Sequence, residues 1–372
     1  MSGFIHRFVA VVFLLLPAVR LLAQDAKHEE IAAPNCTLAE QIMSSNTGEK
    51  VGDCPILEGM EAFQLREDIV LTESLPAITS YFIIDGNGHT ISGDNRFRIF
   101  EVHGGRLTIL NLKMIDGKAG RGSAIFADQG ATVYLESCSI KRSVAKYSGA
   151  IFARYSQLYV NSSEISWNIA DSGAAIYSAA SNIQITLSRF EGNGSRKGGA
   201  IYHYVGRGTI KNSEFDKNSA SEDGGAIVNA HGVLQVRDSV FSQNSAAAGG
   251  AIYSLGYDSL LSIVNSRFEY NESSGKGGAI YANSDDVFVS DSTFEHNSAS
   301  HSGGGIFAER GAFFLSYSTV HNNTARNGAG IYTEGGSVTI VDTAIDNNTS
   351  TYNGEQLYVE KSEIRFFDIR EN

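Results

Sequence analysis

The side chains best suited to recognising a ligand are aromatic rings that recur about every 26 residues. Each follows an isoleucine or, once, a leucine, and they are Phe100, Phe126, Phe152, Tyr177, Tyr202, Tyr253, Tyr281, Phe307, Tyr332 and Tyr358, with Val228 replacing the ring once. Such rings on a protein surface contact sugars or anchor interfaces. If the isoleucines point inward, strand alternation places the rings outside as a binding stripe; if the rings point inward, they belong to the core.

Basic side chains are concentrated in one early part of the chain. Residues 94–154 carry ten basic and five acidic side chains, whereas residues 155–372 carry fourteen and twenty-four. A local excess of this kind attracts an anionic polymer. The candidate residues are Arg96, Arg98, Arg106, Lys113, Lys141 and Arg142. The alternative is a solvated, mildly basic surface without a ligand.

Residues for catalysis or metal binding do not form a recognisable set in the sequence. A polysaccharide lyase needs clustered acidic ligands for Ca²⁺, and a hydrolase needs two carboxylates at catalytic separation. Asp285 and Asp286 fall at a turn between predicted strands, and the nine histidines lack metal-binding spacing. We therefore assign no catalytic, cofactor-binding or metal-binding residue. An enzyme stays open as the alternative, because a site built across repeats needs no local motif, and Ca²⁺ is expected only in that case.

The first 23 residues have the organisation of a secretory signal peptide. A weakly basic start precedes nine apolar residues, Phe8–Leu16, and Ala23 is a small residue at a suitable cleavage position. A membrane span needs about 20 apolar residues, and Pro17 and Arg20 interrupt this stretch. We expect a secreted, extracellular product without a transmembrane segment after cleavage, held at the cell surface or outer membrane if a partner binds it. An uncleaved anchor is the alternative.

Export to an oxidising compartment allows a prediction of which of the three cysteines form a disulfide. Cys36 and Cys54 lie 18 residues apart in a polar, irregular segment, which favours a disulfide that closes a loop lacking its own core. Cys138 stands where the other repeats have serine or threonine, so we expect a small core residue rather than a reactive thiol.

Composition narrows the classes of partner. The 372 residues include 41 acidic and 29 basic side chains, for a net charge of −12. This balance argues against nucleic-acid binding, which needs a basic surface. An apolar content of 42% suffices for a core, and the low charge and frequent aromatic residues argue against a disordered chain.

A repeat of about 26 residues must position these side chains. The isoleucines before the aromatic residues, beginning at Ile99, are separated by 25 to 28 residues. Each repeat contains Gly-x-Ala-Ile-Tyr, a short alternating run such as 287–289, and Asn/Asp-Ser-x-Phe-x-x-Asn. Alternating runs separated by Gly, Asn and Ser predict three short strands per repeat. A unit of this kind is one coil of an all-β parallel β-helix, and the chain holds about 11–13 coils.

Stacked coils place corresponding residues about 4.8 Å apart and turn them into columns. One predicted column is aromatic: Phe190, Phe215, Phe241, Phe268 and Phe294. Another is Asn168, Asn193, Asn218, Asn244, Asn271, Asn297, Asn323 and Asn348, whose amides both donate and accept hydrogen bonds. The predicted organisation is a signal peptide (1–23), an N-terminal cap with a helix over 37–43 (24–60), the β-helix (61–359) and a C-terminal cap (360–372).

Two family resemblances attach to these motifs. Residues 36–42, Cys-Thr-Leu-Ala-Glu-Gln-Ile, followed by Cys54, Leu75-Pro76 and Asp85-Gly86-Asn87-Gly88, resemble the CSLREA domain of bacterial exported proteins. The Gly-Gly-Ala-Ile and Phe-x-x-Asn pairs from about 120 to 350 are similar to the repeats of polymorphic outer-membrane proteins, which include adhesins. These resemblances imply export and the right-handed β-helix of the pectin-lyase-like superfamily.

The sequence favours a binding protein over an enzyme. We predict a secreted or cell-surface, adhesin-like module that binds a polysaccharide, a cell-surface glycan or a protein through its turns and aromatic stripe. The alternative is a lyase or glycoside hydrolase of the pectin-lyase-like class that acts on acidic polysaccharide. A structural or passenger fragment is the third interpretation.

Overall fold

A computed structural model describes residues 35–367 of the protein. The predicted signal peptide (1–23) and the end of the chain lie outside these residues. The N-terminal cap contains a helix, Leu38–Thr47, that begins at a capping box formed by Thr37 and Glu40. The predicted Cys36–Cys54 disulfide is present. Ile42 is fully buried in the main apolar core, so the helix covers one end of the solenoid.

Within the described residues, the strands form three faces, which we name sheets A, B and C. Sheet A comprises Phe63–Gln64, Tyr81–Asp85, Phe100–His103, Arg106–Leu110, Ile125–Asp128, Thr132–Glu136, Ile151–Arg154, Gln157–Asn161, Ile176–Ala179, Asn182–Thr186, Ile201–Lys211, Ile227–Arg237, Ile252–Val264, Ile280–Ser290, Ile306–Glu309, Ala312–Ser316, Ile331–Glu334, Ser337–Val341, Leu357–Glu360 and Glu363–Phe367. Sheet B comprises Ile69–Val70, Thr90–Ser92, Lys113–Ile115, Ser139–Lys141, Glu164–Ser166, Arg189–Glu191, Glu214–Asp216, Val240–Ser242, Arg267–Glu269, Thr293–Glu295, Thr319–His321 and Ala344–Asp346. Sheet C comprises Lys118–Arg121, Val144–Ser148, Gly194–Lys197, Ser219–Asp223, Ser245–Ala248, Glu272–Lys276, Ser298–Ser302, Thr324–Asn327 and Thr349–Asn353, and single bridges through Ile169 and Ser172 join its two parts.

Every strand pairs in parallel with the equivalent strand of the next coil. Ile201 pairs with Ile227 in sheet A, and Phe215 pairs with Phe241 in sheet B. The predicted all-β parallel solenoid is therefore confirmed. None of the helices within residues 35–367 is long and apolar enough to cross a membrane.

The interior is one continuous apolar cluster that runs along the solenoid. The isoleucines of sheet A and the phenylalanines of sheet B point into it and are fully buried. The rings of Phe190, Phe215, Phe241, Phe268 and Phe294 stack with centroids 4.7–4.8 Å apart. This spacing equals the distance between neighbouring strands, so each coil adds one ring to the stack.

The buried asparagines form a continuous hydrogen-bonded ladder. Asn244 Nδ2 donates to Asn271 Oδ1 in the next coil (3.0 Å) and to the Phe215 carbonyl in the preceding coil (2.9 Å). Asn271 Oδ1 also accepts the Asn244 backbone N–H (3.1 Å). The amides thus satisfy buried backbone groups at the bend between sheets B and C.

A serine column lies at the bend between sheets A and B. The Ser239 backbone N–H donates to Ser266 Oγ (3.2 Å), and the Ser266 hydroxyl donates to the Val264 carbonyl (2.9 Å). Cys138 takes one position of this column and is buried, which raises the pKa of its thiol to about 12. It is therefore a core residue of low reactivity.

The glycine before each Gly/Ala-Ala-Ile segment is required by geometry. Gly224 has φ +62°, and a Cβ there would lie 2.3 Å from the Ile227 carbonyl oxygen. Both the left-handed backbone and the close approach exclude a larger residue. The turn brings the end of sheet C against the outer face of sheet A.

The coil is divided differently from the prediction. The Ile-Tyr segment and the alternating run both belong to sheet A, and in four coils they merge into strands of 11 to 13 residues, as in Ile252–Val264. The third face, sheet C, follows the ladder asparagines, at a position for which the sequence predicted no strand. Its short side chains, such as Ser219 and Ala220, carry little alternating pattern.

In the first coil, the structure shifts the alignment of the isoleucine and aromatic columns by one residue. Phe100, not Ile99, pairs with Ile125 and is buried, and Glu101 pairs with Phe126. The assignment of Phe100 to the aromatic stripe was therefore wrong. Phe100 fills the interior position that isoleucine takes in later coils. At the other end, Glu363–Phe367 pairs with Ser337–Val341, so the described part of the predicted cap at 360–372 continues sheet A.

Candidate functional site

The aromatic stripe lies on the outer face of sheet A. Ile201 points into the main core, and Tyr202 points to the opposite face and is half-buried. Tyr281, Phe307 and Tyr332 form a separate apolar cluster outside the solenoid interior. The structure therefore decides the alternative that the sequence left open: the isoleucines face inward and the rings face outward.

The rings of this outer column stack on one another along the solenoid axis. The centroids from Phe126 through Phe152 and Tyr177 to Tyr202 are 5.1, 5.5 and 5.2 Å apart. A second run extends from Tyr253 to Tyr358 with spacings of 4.8–5.1 Å. Because neighbouring rings cover each other's faces, the column presents ring edges and phenol hydroxyls rather than open faces.

Exposure varies along the column and separates its six tyrosines into two groups. Tyr177, Tyr202, Tyr253 and Tyr358 are half-buried, whereas Tyr281 and Tyr332 are each only 8% exposed. The hydroxyls of the latter two donate to Glu309 and Glu360, and burial together with these carboxylates raises the pKa of both phenols. Tyr177, Tyr202 and Tyr253 are thus more exposed as residues than Tyr281 and Tyr332, although burial raises the pKa of their phenols as well.

An ion pair from sheet C lies beside two of the half-buried tyrosines, Tyr202 and Tyr253. Lys197 Nζ is 2.9 Å from the Asp223 carboxylate. Burial raises the pKa of the Tyr253 phenol to about 12, and both Asp223 and Lys197 contribute smaller electrostatic effects there and at Tyr202. Hydrogen-bond donors and acceptors of both signs therefore line the edge of the aromatic column.

A histidine between two carboxylates occupies the start of the same face. His103 Nδ1 is 2.6 Å from Asp128, and His103 Nε2 is 2.8 Å from Glu101. Arg154 bonds the second oxygen of Asp128 (3.1 Å), and Arg98 bonds Glu101. The hydrogen bond to Asp128 is the largest effect that raises the pKa of His103.

This cluster was not predicted from the sequence. Glu101 takes the first position of the aromatic column, and Asp128 stands one coil after His103. The sequence signal for it was a histidine, His103, with one acidic residue two positions earlier, Glu101, and another one coil later, Asp128. It was hidden because the repeat was aligned on Ile99 instead of Phe100.

Four of the six predicted basic residues are engaged in ion pairs with acidic side chains. Arg96 pairs with Asp94 (2.7 Å), Lys141 with Glu164 (2.6 Å) and Arg142 with Asp116 (2.9 Å). Arg98 is held by Glu101, as described above. Of these four acidic partners, only Glu164 lies outside residues 94–154, so the pairs hold the four basic side chains locally and leave most of the excess of positive charge in that segment.

Arg106 has a different environment. Its guanidinium lies 5.2 Å from the centroid of Tyr81 and 4.6 Å from that of Tyr134. These are cation–π distances. Arg106 therefore braces two aromatic rings on sheet A instead of extending toward a polymer.

A shallow groove of about 920 Å³ follows the bend between sheets A and B from Gly88 to Val240. Lys113, Glu164, Arg189 and Glu214 line it together with serine and asparagine side chains. Arg189 bonds Glu191, Glu214 and Asp216 at 3.2, 2.6 and 3.3 Å, so three acidic side chains hold this arginine at the groove. Among residues 35–367, no group of three or more His, Cys, Asp or Glu side chains is arranged to hold a metal ion.

The fold is a parallel β-solenoid whose outer surface carries columns of aromatic and charged side chains. A family model described as a right-handed β-helix region matches residues 123–285 and 199–366. These matches span more than half of the chain, which therefore belongs to the right-handed β-helix family.

Two further comparisons are less informative about the family. None of the curated proteins matches the chain. Among solved structures, it is similar to the A-module of the Azotobacter vinelandii mannuronan C-5 epimerase AlgE6, with a TM-score of 0.28 and 9% identity over 82% of this chain and 81% of that chain. A match at this level carries no information on activity.

Proposed function

We propose that the protein is an exported, adhesin-like β-helix that binds glycans of a cell surface. The observation that carries the proposal is the line of half-buried tyrosines, Tyr177, Tyr202 and Tyr253, on the outer face of sheet A. The CSLREA-like beginning and the repeats of the polymorphic outer-membrane type support export to the surface. The disulfide is in keeping with an oxidising compartment.

The chemistry of the outer face suits a hydroxylated polymer. Phenol hydroxyls donate and accept hydrogen bonds, and the Lys197–Asp223 pair adds a donor and an acceptor beside them. Stacking holds the rings of Tyr177 and Tyr202 parallel to within 2°. A preorganised line of this kind reduces the entropy lost on binding and runs along the axis, as a linear glycan would.

The test is a glycan array with the full mature chain, followed by calorimetry on any glycan that binds. The double variant Tyr177→Phe and Tyr202→Phe removes two hydroxyls and keeps both stacked rings. We expect about a tenfold loss of affinity, which corresponds to two modest hydrogen bonds.

Tyr159→Phe is the matched control, because Tyr159 is a stacked tyrosine elsewhere on the outside of sheet A, 4.4 Å from Tyr134. The affinity of the Tyr159→Phe variant for the glycan should equal that of the wild type. A blank array, or an equal loss in the control, would contradict the proposal.

The second candidate function is a lyase or glycoside hydrolase that acts on acidic polysaccharide. The observation that favours it is the Glu101–His103–Asp128 cluster, which joins two carboxylates and an imidazole on the outer face. Both ring nitrogens of His103 are engaged, however, so neither is available to a substrate in this arrangement. Release of unsaturated products or reducing ends from galacturonan or alginate, lost in Asp128→Asn, would establish the enzyme.

A further inference from the structure

The groove at the bend between sheets A and B has no part in the function proposed above. It encloses about 920 Å³, and its lining residues come from successive coils between Gly88 and Val240. The groove therefore runs along the solenoid axis and crosses the strands. Each coil adds an equivalent set of side chains to it, about 4.8 Å from the last set.

The wall of the groove carries short polar side chains that the fold does not use. Ser137, Ser162 and Asn212 directly follow strands of sheet A, have left-handed backbones (φ 55°, 48° and 49°) and are exposed. Within residues 35–367, these three side chains form no hydrogen bond. The serines of the neighbouring buried column differ, because the Ser163 hydroxyl donates to the Asn161 carbonyl (2.7 Å). Two hydroxyls and an amide are thus left for a ligand.

An apolar side chain interrupts this polar line in the middle of the groove. Leu187 occupies the equivalent position in the coil between those of Ser162 and Asn212, and it is 55% exposed. A single exposed leucine is ordinary on a protein surface. Here, however, it places an apolar contact between hydrogen-bonding groups at a spacing that the coils fix. A matching ligand has both hydroxyls and a C–H surface.

The backbone along the groove is already hydrogen-bonded. Gln157–Asn161 pairs with Thr132–Glu136 on one side and with Asn182–Thr186 on the other. At the bend itself, the N–H groups of Ser162 and Leu187 donate to carbonyls of the next coil (3.1 Å each). An extended peptide that adds to a sheet needs a free strand edge. The groove therefore offers side chains to a ligand, which disfavours a peptide.

The charged side chains of the groove disfavour a polyanion. Two are basic, Lys113 and Arg189, and three are acidic, Glu164, Glu214 and Asp238. Arg189 is held by three acidic side chains, as described above. A nucleic acid or a polyuronate needs a surplus of positive charge in its site. The lining suits an uncharged polymer instead.

We propose that this groove binds one chain of a neutral, β-1,4-linked glycan that lies along the solenoid axis. Its hydroxyls bond to Ser137, Ser162 and Asn212, and the C–H face of one sugar packs on Leu187. The rise of one coil is close to the length of one sugar in such a chain, so successive sugars meet equivalent side chains. The inference rests on the proposed glycan-binding function and adds a second surface, outside the tyrosine column of sheet A.

Calorimetry with the full mature chain tests the class and the length of the ligand. The ligands are cellohexaose, chitohexaose, cellotriose and a hexamer of galacturonic acid. We expect cellohexaose or chitohexaose to bind at least tenfold more tightly than cellotriose, because a hexamer contacts more coils. The acidic hexamer should bind at least tenfold more weakly than the better neutral hexamer.

A substitution that fills the groove tests its position. Ser162→Tyr is compatible with the fold, because Tyr317 takes the equivalent position in a later coil with the same φ of 48°. We expect at least a tenfold loss of affinity for the neutral hexamer. Asp291→Tyr is the matched control in the same column, beyond the end of the groove, and should bind as the wild type does. Unchanged emission of Trp167, the single tryptophan, which packs on Gly192 of the next coil, verifies that the substituted coil is folded.

The outcomes separate this groove from the tyrosine column. Neutral-hexamer binding that Ser162→Tyr leaves unchanged but the Tyr177→Phe and Tyr202→Phe double variant weakens would overturn the groove and leave the proposed function standing. Loss in Ser162→Tyr with full affinity in the double variant would support the groove and contradict the tyrosine column as the binding face. Tighter binding of the acidic hexamer would overturn the neutral class, and absence of binding to every glycan would overturn both proposals.

Discussion

At the scale of single residues, the solenoid interior contains a polar exception at His203. The imidazole is fully buried, its Nδ1 is 3.3 Å from Ser178 Oγ, and its Nε2 has no hydrogen-bond partner within the described chain. Burial lowers the pKa of His203 to about 4. The histidine is therefore neutral in the folded protein at physiological pH.

This histidine should make the protein less stable in acid. Between about pH 6.5 and pH 4 the unfolded chain binds a proton at this residue and the folded chain does not, so the free energy of unfolding falls as the pH falls. The full difference of about 2.5 pKa units is worth about 3 kcal/mol. Chemical denaturation across this pH range measures how steeply the free energy of unfolding depends on pH. This dependence should be weaker in His203→Asn than in the wild type. The variant carries at this position the residue found one coil later, Asn229.

The control for that experiment is His301→Gln. His301 is exposed in sheet C, and its replacement should leave the slope of the wild-type protein unchanged. An identical pH dependence in His203→Asn and the wild type would show that His203 does not titrate in this way.

At the scale of the repeated element, the asparagine ladder stabilises each bend through the next coil. Removal of Asn271 leaves the backbone N–H and the side-chain amide of Asn244 without the acceptor that both share. It also removes the donation to the Phe241 carbonyl. The cost therefore falls on two neighbouring coils.

We expect Asn271→Ala to lower the free energy of unfolding by roughly 2 to 4 kcal/mol, because buried polar groups lose their partners. Urea denaturation followed by circular dichroism measures the change. Ser274→Ala, at an exposed position of the same coil, should change stability by less than about 0.5 kcal/mol. Equal effects of the two substitutions would mean that the ladder contributes nothing beyond a surface residue.

The same element shows how far the sequence could lead. The columns of Phe190, Asn193 and Ser188 were predictable, because their spacing repeats and each residue type suits stacking. Sheet C was missed because its small polar residues carry no alternating signal. The His103 cluster was missed because contacts between coils depend on register, and one residue of misalignment at Ile99 exchanged the inner and outer faces.

The outer aromatic column shows a different limit. Strand alternation required the isoleucine and the ring to face opposite sides but did not say which side was inside. Packing decided it: Ile201 lies in the main apolar core with Phe215, whereas Tyr202 lies on the outer face. Likewise, nothing in the sequence around Trp167 indicated that Gly192 would lie under its ring.

At the scale of the whole molecule, one apolar core extends from the helix at Leu38 to Ile340 without interruption. Each coil contacts its neighbours and little else, so the surface columns keep a constant spacing along the axis. The tyrosine column on sheet A keeps its regular spacing for this reason. The binding proposals depend on this stacking in register.

Disulfide trapping between adjacent coils tests that stacking most directly. Thr293 pairs with Thr319, and Thr319 pairs with Ala344, all on the outer face of sheet B. Neighbouring positions are about 4.8 Å apart, within the span of a disulfide, whereas Thr293 and Ala344 are about 10 Å apart, beyond it. We predict that mild oxidation links Thr293→Cys to Thr319→Cys and leaves Thr293→Cys with Ala344→Cys unlinked; efficient linkage of the second pair, or none of the first, would contradict the stacked solenoid.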